Sequence, residues 1–124
     1  METKNDCIFC KIVDKQIPAE VIFENEDFLS FLDINPRSPG HCLVIPKIHH
    51  RWVWDVEKAG QYFEIVKKIA LAQKKALNTE IIYSLIHGID IKHAHIWIYP
   101  DPKSVVGDKK DFKGNAQKIR EALV

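Results

Sequence analysis

Two histidines separated by one residue, His93 and His95, have the types and spacing that suggest chemistry in this sequence of 124 residues. The alternating pattern over residues 92–100 predicts a β-strand, in which alternate side chains stand about 6–7 Å apart on one face. The histidine face also carries Trp97 and Tyr99, whereas the opposite face is apolar. Because two neighbouring imidazoles beside an indole and a phenol are unusual in a simple core, we interpret this face as a functional site.

A second candidate is the pair Cys7 and Cys10, spaced as Cys-x-x-Cys. The polar start of the sequence and the lack of an apolar run of about 18 residues predict a cytoplasmic location, where structural disulfides are rare. The pair therefore indicates metal or redox chemistry, and its flanks lack the strand and the long helix of a redox motif. Metal binding and unmetallated, reduced thiols are the interpretations that remain. Cys42, in an apolar run, is interpreted as a buried small residue.

The composition is that of an ordinary globular protein, with 46% hydrophobic residues, 28% charged residues and a net charge of +1. We predict one domain over residues 1–124. The balanced charge gives no reason to expect a membrane surface as partner. The lysines are dispersed and are not interleaved with aromatic residues, which argues against nucleic-acid binding.

The elements that must position these residues are predicted from local patterns. Asp55 is predicted to cap a long helix, and Asn115 a short C-terminal helix that follows a polar loop over 101–114. The apolar stripe of the long helix is wide, which fits either a deeply buried helix or a dimer contact. Short turns between strands, with one long helix inserted, predict an α+β protein with an antiparallel sheet. In chain order we predict a helical turn at 7–13, a hairpin of strands at 21–23 and 28–33, a strand at 41–46, the long helix at 56–77, a strand at 80–87 and the histidine strand.

These pieces together resemble the histidine-triad (HIT) nucleotide-binding family, in the zinc-type branch whose members begin with Cys-x-x-Cys. The resemblance implies a HIT-like fold of the α+β class, with a five-stranded antiparallel sheet, one long helix and one short C-terminal helix. It also implies a homodimer that binds a nucleotide. The motifs match in order and at similar spacing at residues 7–12, 17–19, 31–34, 39–41, 43–47 and 93–95.

The resemblance assigns roles around the nucleotide. His95, at the middle position of the triad, would attack the α-phosphorus of a purine nucleotide conjugate and form a covalent nucleotidyl-histidine. The implied substrates are phosphoramidates, acyl adenylates or dinucleoside polyphosphates. Asp33 would accept hydrogen bonds from the ribose, although an aspartate before Asn35 and Pro36 also fits a turn. His41 would lie behind the site, and the slot for the base would be formed by Ile22, Phe23, Phe31 and Ile34.

The same resemblance implies a structural zinc ion held by Cys7, Cys10, His49 and His93. Two thiolates and two imidazoles form a closed tetrahedral set that suits Zn²⁺. His50 competes with His49 for this role, because neighbours on an irregular segment are not distinguishable from the sequence. The metal would pin the N-terminal segment to the sheet.

The chain departs from the family pattern in two places. Trp97 stands at the third histidine position, and its indole cannot transfer a proton at neutral pH. Residues 88–90 read Gly-Ile-Asp where the family usually has Gly-Gln-Ser, which puts the Asp90 carboxylate where an oxyanion would develop. Lys92 would either pair with Asp90 or supply the missing positive charge. His87 is interpreted as a turn residue.

These departures leave three functions open. A nucleotidyl hydrolase of reduced activity would prefer leaving groups that need little protonation, because Trp97 cannot act as the acid. A nucleotide-binding module without turnover is the second interpretation. Transfer of the nucleotide to a small acceptor is the third.

Overall fold

A computed structural model describes residues 6–123 of the chain. Five strands form one antiparallel sheet in the spatial order β1-β2-β3-β5-β4, which confirms the predicted α+β class. The strands are β1 (Val21–Glu24), β2 (Phe28–Leu32), β3 (Cys42–Pro46), β4 (Ile82–Leu85) and β5 (Ile96–Pro100). The helices are α1 (Ile8–Val13), α2 (Ala59–Leu77) and α3 (Phe112–Ala122), with a 3₁₀ turn at Val53–Asp55 before α2.

The hairpin of β1 and β2 is closed by a side chain and distorted by a bulge. The side-chain oxygen of Asn25, Oδ1, accepts the backbone N–H groups of Asp27 and Phe28 at 2.9 and 2.8 Å, which fixes the turn. The register between β1 and β2 shifts within β1, so that Ile22 and Phe23 both pack on the helix-covered face although they are neighbours. Regular alternation would have sent one of them to each face.

Helices α2 and α3 cover one face of the sheet and enclose the larger core. The Tyr62 hydroxyl donates to a carbonyl of β3 at 2.7 Å, and the Gln73 amide donates to Gly40 and to a carbonyl of β5, both at 2.8 Å. The wide apolar stripe of α2 is only partly buried: Ile69 is fully covered, whereas Phe63 is 43% exposed. Within residues 6–123 no helix is long and apolar enough to cross a membrane.

Helix α1 packs against the opposite face and forms a second, smaller core there. The Cys7 sulfur lies at the start of α1 and accepts the N–H of Cys10 at 3.3 Å, so both thiols lie at one end of the helix. Both cysteines are buried. The second core consists of Cys7, Phe9, Cys10, Leu29, Phe31, Leu43 and Ile45.

The predicted histidine strand is shorter than expected, because β5 begins at Ile96 and not at residue 92. Both neighbouring strands pair with β5 only from that point onward. Before it, residues 91–93 form a bend, and the N–H of Ala94 donates to the His50 carbonyl at 2.7 Å. His93 and His95 therefore lie in a buried loop directly before the strand, each 2% exposed or less.

Two predicted helix caps are wrong. The Asp55 carboxylate accepts the backbone N–H of the residue three positions earlier at 3.2 Å, within the 3₁₀ turn, and Lys58 holds the N-cap position of α2. Asn115 lies inside α3, is buried, and donates to a loop carbonyl at 3.0 Å. The cap of α3 is Asp111, whose carboxylate accepts an N–H of the first turn at 3.2 Å. At α3 the error arises because several polar residues near the helix start are able to cap it, whereas α2 begins after Lys58 without a side-chain cap hydrogen bond.

Candidate active site and metal-ligating group

A cleft of about 340 Å³ lies between α1, the end of β2 and the start of β5. Its volume falls within the range of about 300–1,000 Å³ that is typical of small-molecule sites. Its lining is mainly apolar, with a few polar groups that include Asp33 and His95. Six of the predicted site residues line it, namely Phe31, Asp33, Ile34, Asp90, His95 and Trp97.

The other predicted nucleotide-binding residues lie outside the cleft. Ile22 and Phe23 are on the opposite face of the sheet, because the bulge in β1 turns both toward the helices. In their place Phe9 of α1 contributes an aromatic wall. His41 is buried behind the cleft, and Lys92 is exposed on the surface.

The His95 imidazole is held in one tautomer with its reactive nitrogen unoccupied. Its Nδ1 lies 2.7 Å from the His93 carbonyl oxygen, and since a carbonyl only accepts, Nδ1 carries the proton. The lone pair is therefore on Nε2, which is buried and has no hydrogen-bond partner. Burial lowers the pKa of His95, against opposing contributions from the His93 carbonyl and Asp90. A neutral imidazole with a bare Nε2 at a cleft has the form that a nucleophile requires.

Asp90 faces two imidazoles and not Lys92. Its Oδ1 lies 3.6 Å from His95 Nε2 and 3.6 Å from His87 Nδ1. The His87 ring stands edge-on to the rings of His95 and Trp97, with centroid distances of 5.5 and 4.8 Å. His87, interpreted from the sequence as a turn residue, is thus a neighbour of the site.

Trp97 packs against a cation that the sequence analysis did not select. The Arg37 guanidinium lies 4.6 Å from the centre of the Trp97 ring and donates to the Tyr99 hydroxyl at 3.1 Å. In the sequence, Arg37 lies between prolines in a turn-forming segment, and nothing local indicates that it reaches β5. It brings a positive charge to the side of the site where the third histidine is missing.

Asp33, which lines the cleft, is paired with the buried His41 behind it. Asp33 Oδ1 accepts the N–H of Asn35 at 2.8 Å, so the turn role foreseen for this aspartate is present. Asp33 Oδ2 lies 3.6 Å from His41 Nε2, while His41 Nδ1 accepts the N–H of Arg37 at 3.0 Å. The His41 proton therefore sits on Nε2 and faces Asp33. Burial, with a smaller contribution from Arg37, lowers the pKa of His41 to about 4, and burial raises the pKa of Asp33.

We expect His41 to make the protein less stable in mild acid. Its pKa is lower in the folded chain, about 4, than the ordinary 6.5, so the unfolded chain binds more protons between these values and stability falls as the pH drops through 6.5. The loss from pH 7 to pH 5 is about 2 kcal/mol for this one group. Urea unfolding at both pH values measures it. His41→Asn should reduce the pH dependence, with His50→Asn as the matched control; equal pH dependence in wild type and His41→Asn would contradict the assignment.

The predicted metal ligands converge on one point. The ligand atoms of Cys7, Cys10, His49 and His93 all lie within 4.8 Å of one another, and His50 is not among them. The His93 Nδ1 atom lies 3.2 Å from the Cys7 sulfur and 3.5 Å from the Cys10 sulfur, and Cys10 is 3.3 Å from His49 Nδ1. Bonds of about 2.0–2.3 Å to a tetrahedral zinc ion give sulfur–nitrogen edges of about 3.5 Å.

The hydrogen bonding of His93 supports a metal at this point. Its Nε2 lies 2.8 Å from the Pro46 carbonyl oxygen and therefore donates to it, which leaves the Nδ1 lone pair directed at two sulfur atoms. One lone pair cannot accept two S–H donors well, whereas a central cation satisfies all of these groups. Burial lowers the pKa of His93 to about 4, which keeps the imidazole neutral as a ligand must be. The group fits zinc.

The fold and the site define a small α+β protein whose cleft contains His95 and lies beside a Cys₂His₂ group. The HIT domain family model matches residues 14–103. The chain belongs to the HIT family.

Individual relatives agree with this assignment. A hypothetical histidine triad nucleotide-binding protein from Sulfolobus tokodaii has a similar structure, with a TM-score of 0.83 and 26% identity over 94% of this chain and 91% of that chain. A zinc-bound histidine triad family protein from Mycobacterium smegmatis has a TM-score of 0.77 and 27% identity, over 98% and 95% of the two chains. The adenosine 5′-monophosphoramidase hnt1 of Schizosaccharomyces pombe is 36% identical over 109 residues, which cover 82% of this chain and 78% of that protein.

Proposed function

We propose that the protein is a nucleotidyl hydrolase that acts on purine nucleotide conjugates such as phosphoramidates, acyl adenylates or dinucleoside polyphosphates. The observation that carries the proposal is the bare Nε2 of His95 at the edge of a cleft of about 340 Å³. The Nε2–phosphorus bond forms as the bond from phosphorus to the leaving group breaks, and the leaving group takes up a proton. Water then cleaves the nucleotidyl-histidine and restores the imidazole. The similarity to a monophosphoramidase supports this reaction class.

The cleft offers a binding site for the nucleoside. Asp33 lines the cleft, and in this proposal its carboxylate binds the ribose hydroxyls through Oδ2, since Oδ1 already accepts the N–H of Asn35. Phe31 packs edge-on against Phe9, with 5.6 Å between ring centres, and these two rings together with Ile34 give the base an apolar surface in this proposal. His41 positions Asp33 from behind.

The Cys₂His₂ group binds a structural zinc ion in this proposal, supported by its donor set, its spacing and the zinc-bound relative. Zinc contributes a fixed cross-link between α1 and the loop before β5. Phe9, on α1, packs edge-on against His95 at 5.4 Å between ring centres. In this proposal the metal therefore fixes the position of Phe9, against which His95 packs, and takes no part in the reaction.

Binding without turnover is the second candidate function, and Asp90 favours it. A carboxylate 3.6 Å from His95 Nε2 repels the anionic phosphate that this nitrogen must attack. The Trp97 indole also cannot transfer its proton to the leaving group at neutral pH. Calorimetric binding of AMP, with no AMP formed from its conjugates over hours, would select this function over the hydrolase.

The experiment that tests the proposal is capture of the intermediate. The protein is mixed with adenosine 5′-phosphoramidate, denatured without acid, because phosphorus–nitrogen bonds to histidine are acid-labile, and analysed by peptide mass spectrometry. We expect one adenylyl group on the peptide that contains His95, the same adduct in His50→Gln, and none in His95→Ala. Release of AMP with an adduct on His87 instead, or with an unchanged adduct in His95→Ala, would remove His95 from the mechanism.

A homodimer is the proposed assembly. β4 lies at the edge of the sheet, and its Tyr83 and Leu85 side chains are 46% and 37% exposed. An exposed edge strand with apolar side chains favours pairing with a second copy. Light scattering should give a molar mass twice that of one chain. The cytoplasmic location and the absence of nucleic-acid and membrane partners stay predictions.

A further inference from the structure

A second group of metal-ligand side chains lies at the edge of the cleft, separate from the Cys₂His₂ group. The ligand atoms of His87, Asp90 and His95 all lie within 4.8 Å of one another. His87 and Asp90 come from the loop between β4 and β5, and His95 from its buried end. Only His87 and Asp90 are accessible to solvent, with side chains 25% and 56% exposed.

The electrostatics of this group call for a cation. His95 Nε2 carries a lone pair, because Nδ1 donates to the His93 carbonyl, and it faces Asp90 Oδ1 at 3.6 Å. Two acceptors that face each other repel unless a positive centre lies between them. His95 is 2% exposed and its Nε2 has no hydrogen-bond partner, so this nitrogen is not satisfied by solvent on its own side of the contact. His87 Nδ1 is directed at the same oxygen at 3.6 Å.

We propose that His87, Asp90 and His95 form a second metal site, which takes a divalent ion such as Zn²⁺. Two imidazoles and one carboxylate are a donor set that suits zinc, and three protein ligands leave one position open to water. The Cys₂His₂ group, by contrast, is closed and held by thiolates. Since the metal takes the Nε2 lone pair, it competes with phosphorus for that atom; this consequence rests on the proposed function, whereas the metal binding does not.

The geometry requires only small adjustments. Tetrahedral zinc with bonds of about 2.0–2.2 Å has edges of about 3.3–3.5 Å between nitrogen and oxygen ligands. The two edges that meet at Asp90 Oδ1 are both 3.6 Å. The third edge, between His87 and His95, is at most 4.8 Å. His87 is partly exposed and is free to close this edge, whereas His95 is fixed by its bond to the His93 carbonyl.

The test counts zinc ions per chain. Wild type, His87→Gln and Asp90→Asn are dialysed against the same micromolar Zn²⁺ buffer, and bound zinc is measured by elemental analysis. We expect each variant to hold one zinc ion fewer per chain than wild type, and His50→Gln to hold as many as wild type. A millimolar excess of Mg²⁺ should not displace the second zinc, because Mg²⁺ prefers oxygen ligands in octahedral geometry. Circular dichroism confirms that the variants are folded.

The count separates the two proposals. A zinc count that is the same in wild type and in either variant would overturn the three-ligand site, whatever the catalytic result. Added Zn²⁺ should inhibit AMP release by wild type and inhibit His87→Gln at least tenfold more weakly. A protein without turnover would refute the hydrolase and leave the zinc count to decide the metal site.

Discussion

Replacement of His95 by alanine is expected to lower the rate of AMP release from adenosine 5′-phosphoramidate by at least about 10³-fold, because the His95 imidazole supplies the attacking nitrogen in the proposed mechanism. The imidazole lies at the cleft with Nε2 bare and Nδ1 tied to a carbonyl, and alanine removes both. The substitution leaves a small buried space beside Phe9. Initial rates by chromatographic measurement of AMP give the ratio. Binding of AMP, followed by calorimetry, should change much less than the rate.

His50→Gln is the matched control, since His50 is a neighbouring histidine whose side chain belongs to neither group of ligand atoms. It should keep the wild-type rate within about threefold. The wild type should also cleave an activated AMP ester faster than the phosphoramidate, because an activated leaving group needs little protonation and Trp97 donates none. Equal AMP release by wild type and His95→Ala is the result that excludes this imidazole as nucleophile.

Local patterns in the sequence were sufficient for most of the fold. The Asn25 turn, the apolar run of β3 and the long helix each follow from signals within a few residues. The residue at which β5 begins was not predictable in this way. β5 starts where its neighbours β3 and β4 begin to pair with it, and that register is set by contacts across the sheet.

In the site, too, some residues were predictable from sequence motifs, whereas others reach it only through long-range contacts. The Cys₂His₂ group was proposed from a family resemblance, and the structure brings its four ligand atoms together, with His49 rather than His50. Ile22 and Phe23, predicted for the base slot, lie on the other face of the sheet, because a single bulge reverses the facing of a strand and leaves no mark in residue types. His87 and Arg37 were missed because each reaches the site through the fold, from a loop with ordinary turn residues.

The two halves of the site are mechanically connected through α1. Cys7 and Cys10 lie at the start of this helix. Phe9, between them in the sequence, packs edge-on against the rings of His93 and His95, with 5.8 and 5.4 Å between ring centres. The hydrogen bond from His95 Nδ1 to the His93 carbonyl is a second connection between the two histidines. A metal ligand and the proposed nucleophile are thus two residues apart on one short loop. Loss of the metal should therefore disturb the cleft as well as the stability.

Removal of zinc from the Cys₂His₂ group is expected to lower the free energy of unfolding by about 4 kcal/mol or more, the linkage value for a metal present at about 1,000 times its dissociation constant. For a chain of 124 residues this corresponds to a fall in Tm of roughly 10–20 °C. The physical reason is that α1 is a short helix, of 6 residues, whose hold on the sheet depends on the cross-link. Calorimetry with and without a strong chelator measures the change.

Three variants locate the source of this stabilisation. His49→Gln should have a low Tm that the chelator no longer lowers, because one of the four ligands is missing. His50→Gln should behave as wild type, and Asp90→Asn should keep a large chelator effect, since it retains all four ligands of the Cys₂His₂ group. A chelator effect that persists in His49→Gln but disappears in His50→Gln would assign the fourth ligand to the other histidine. A wild-type Tm that does not respond to the chelator would mean that the thiols hold no metal, and that the apolar contacts of Phe9 alone position α1 against the nucleophile.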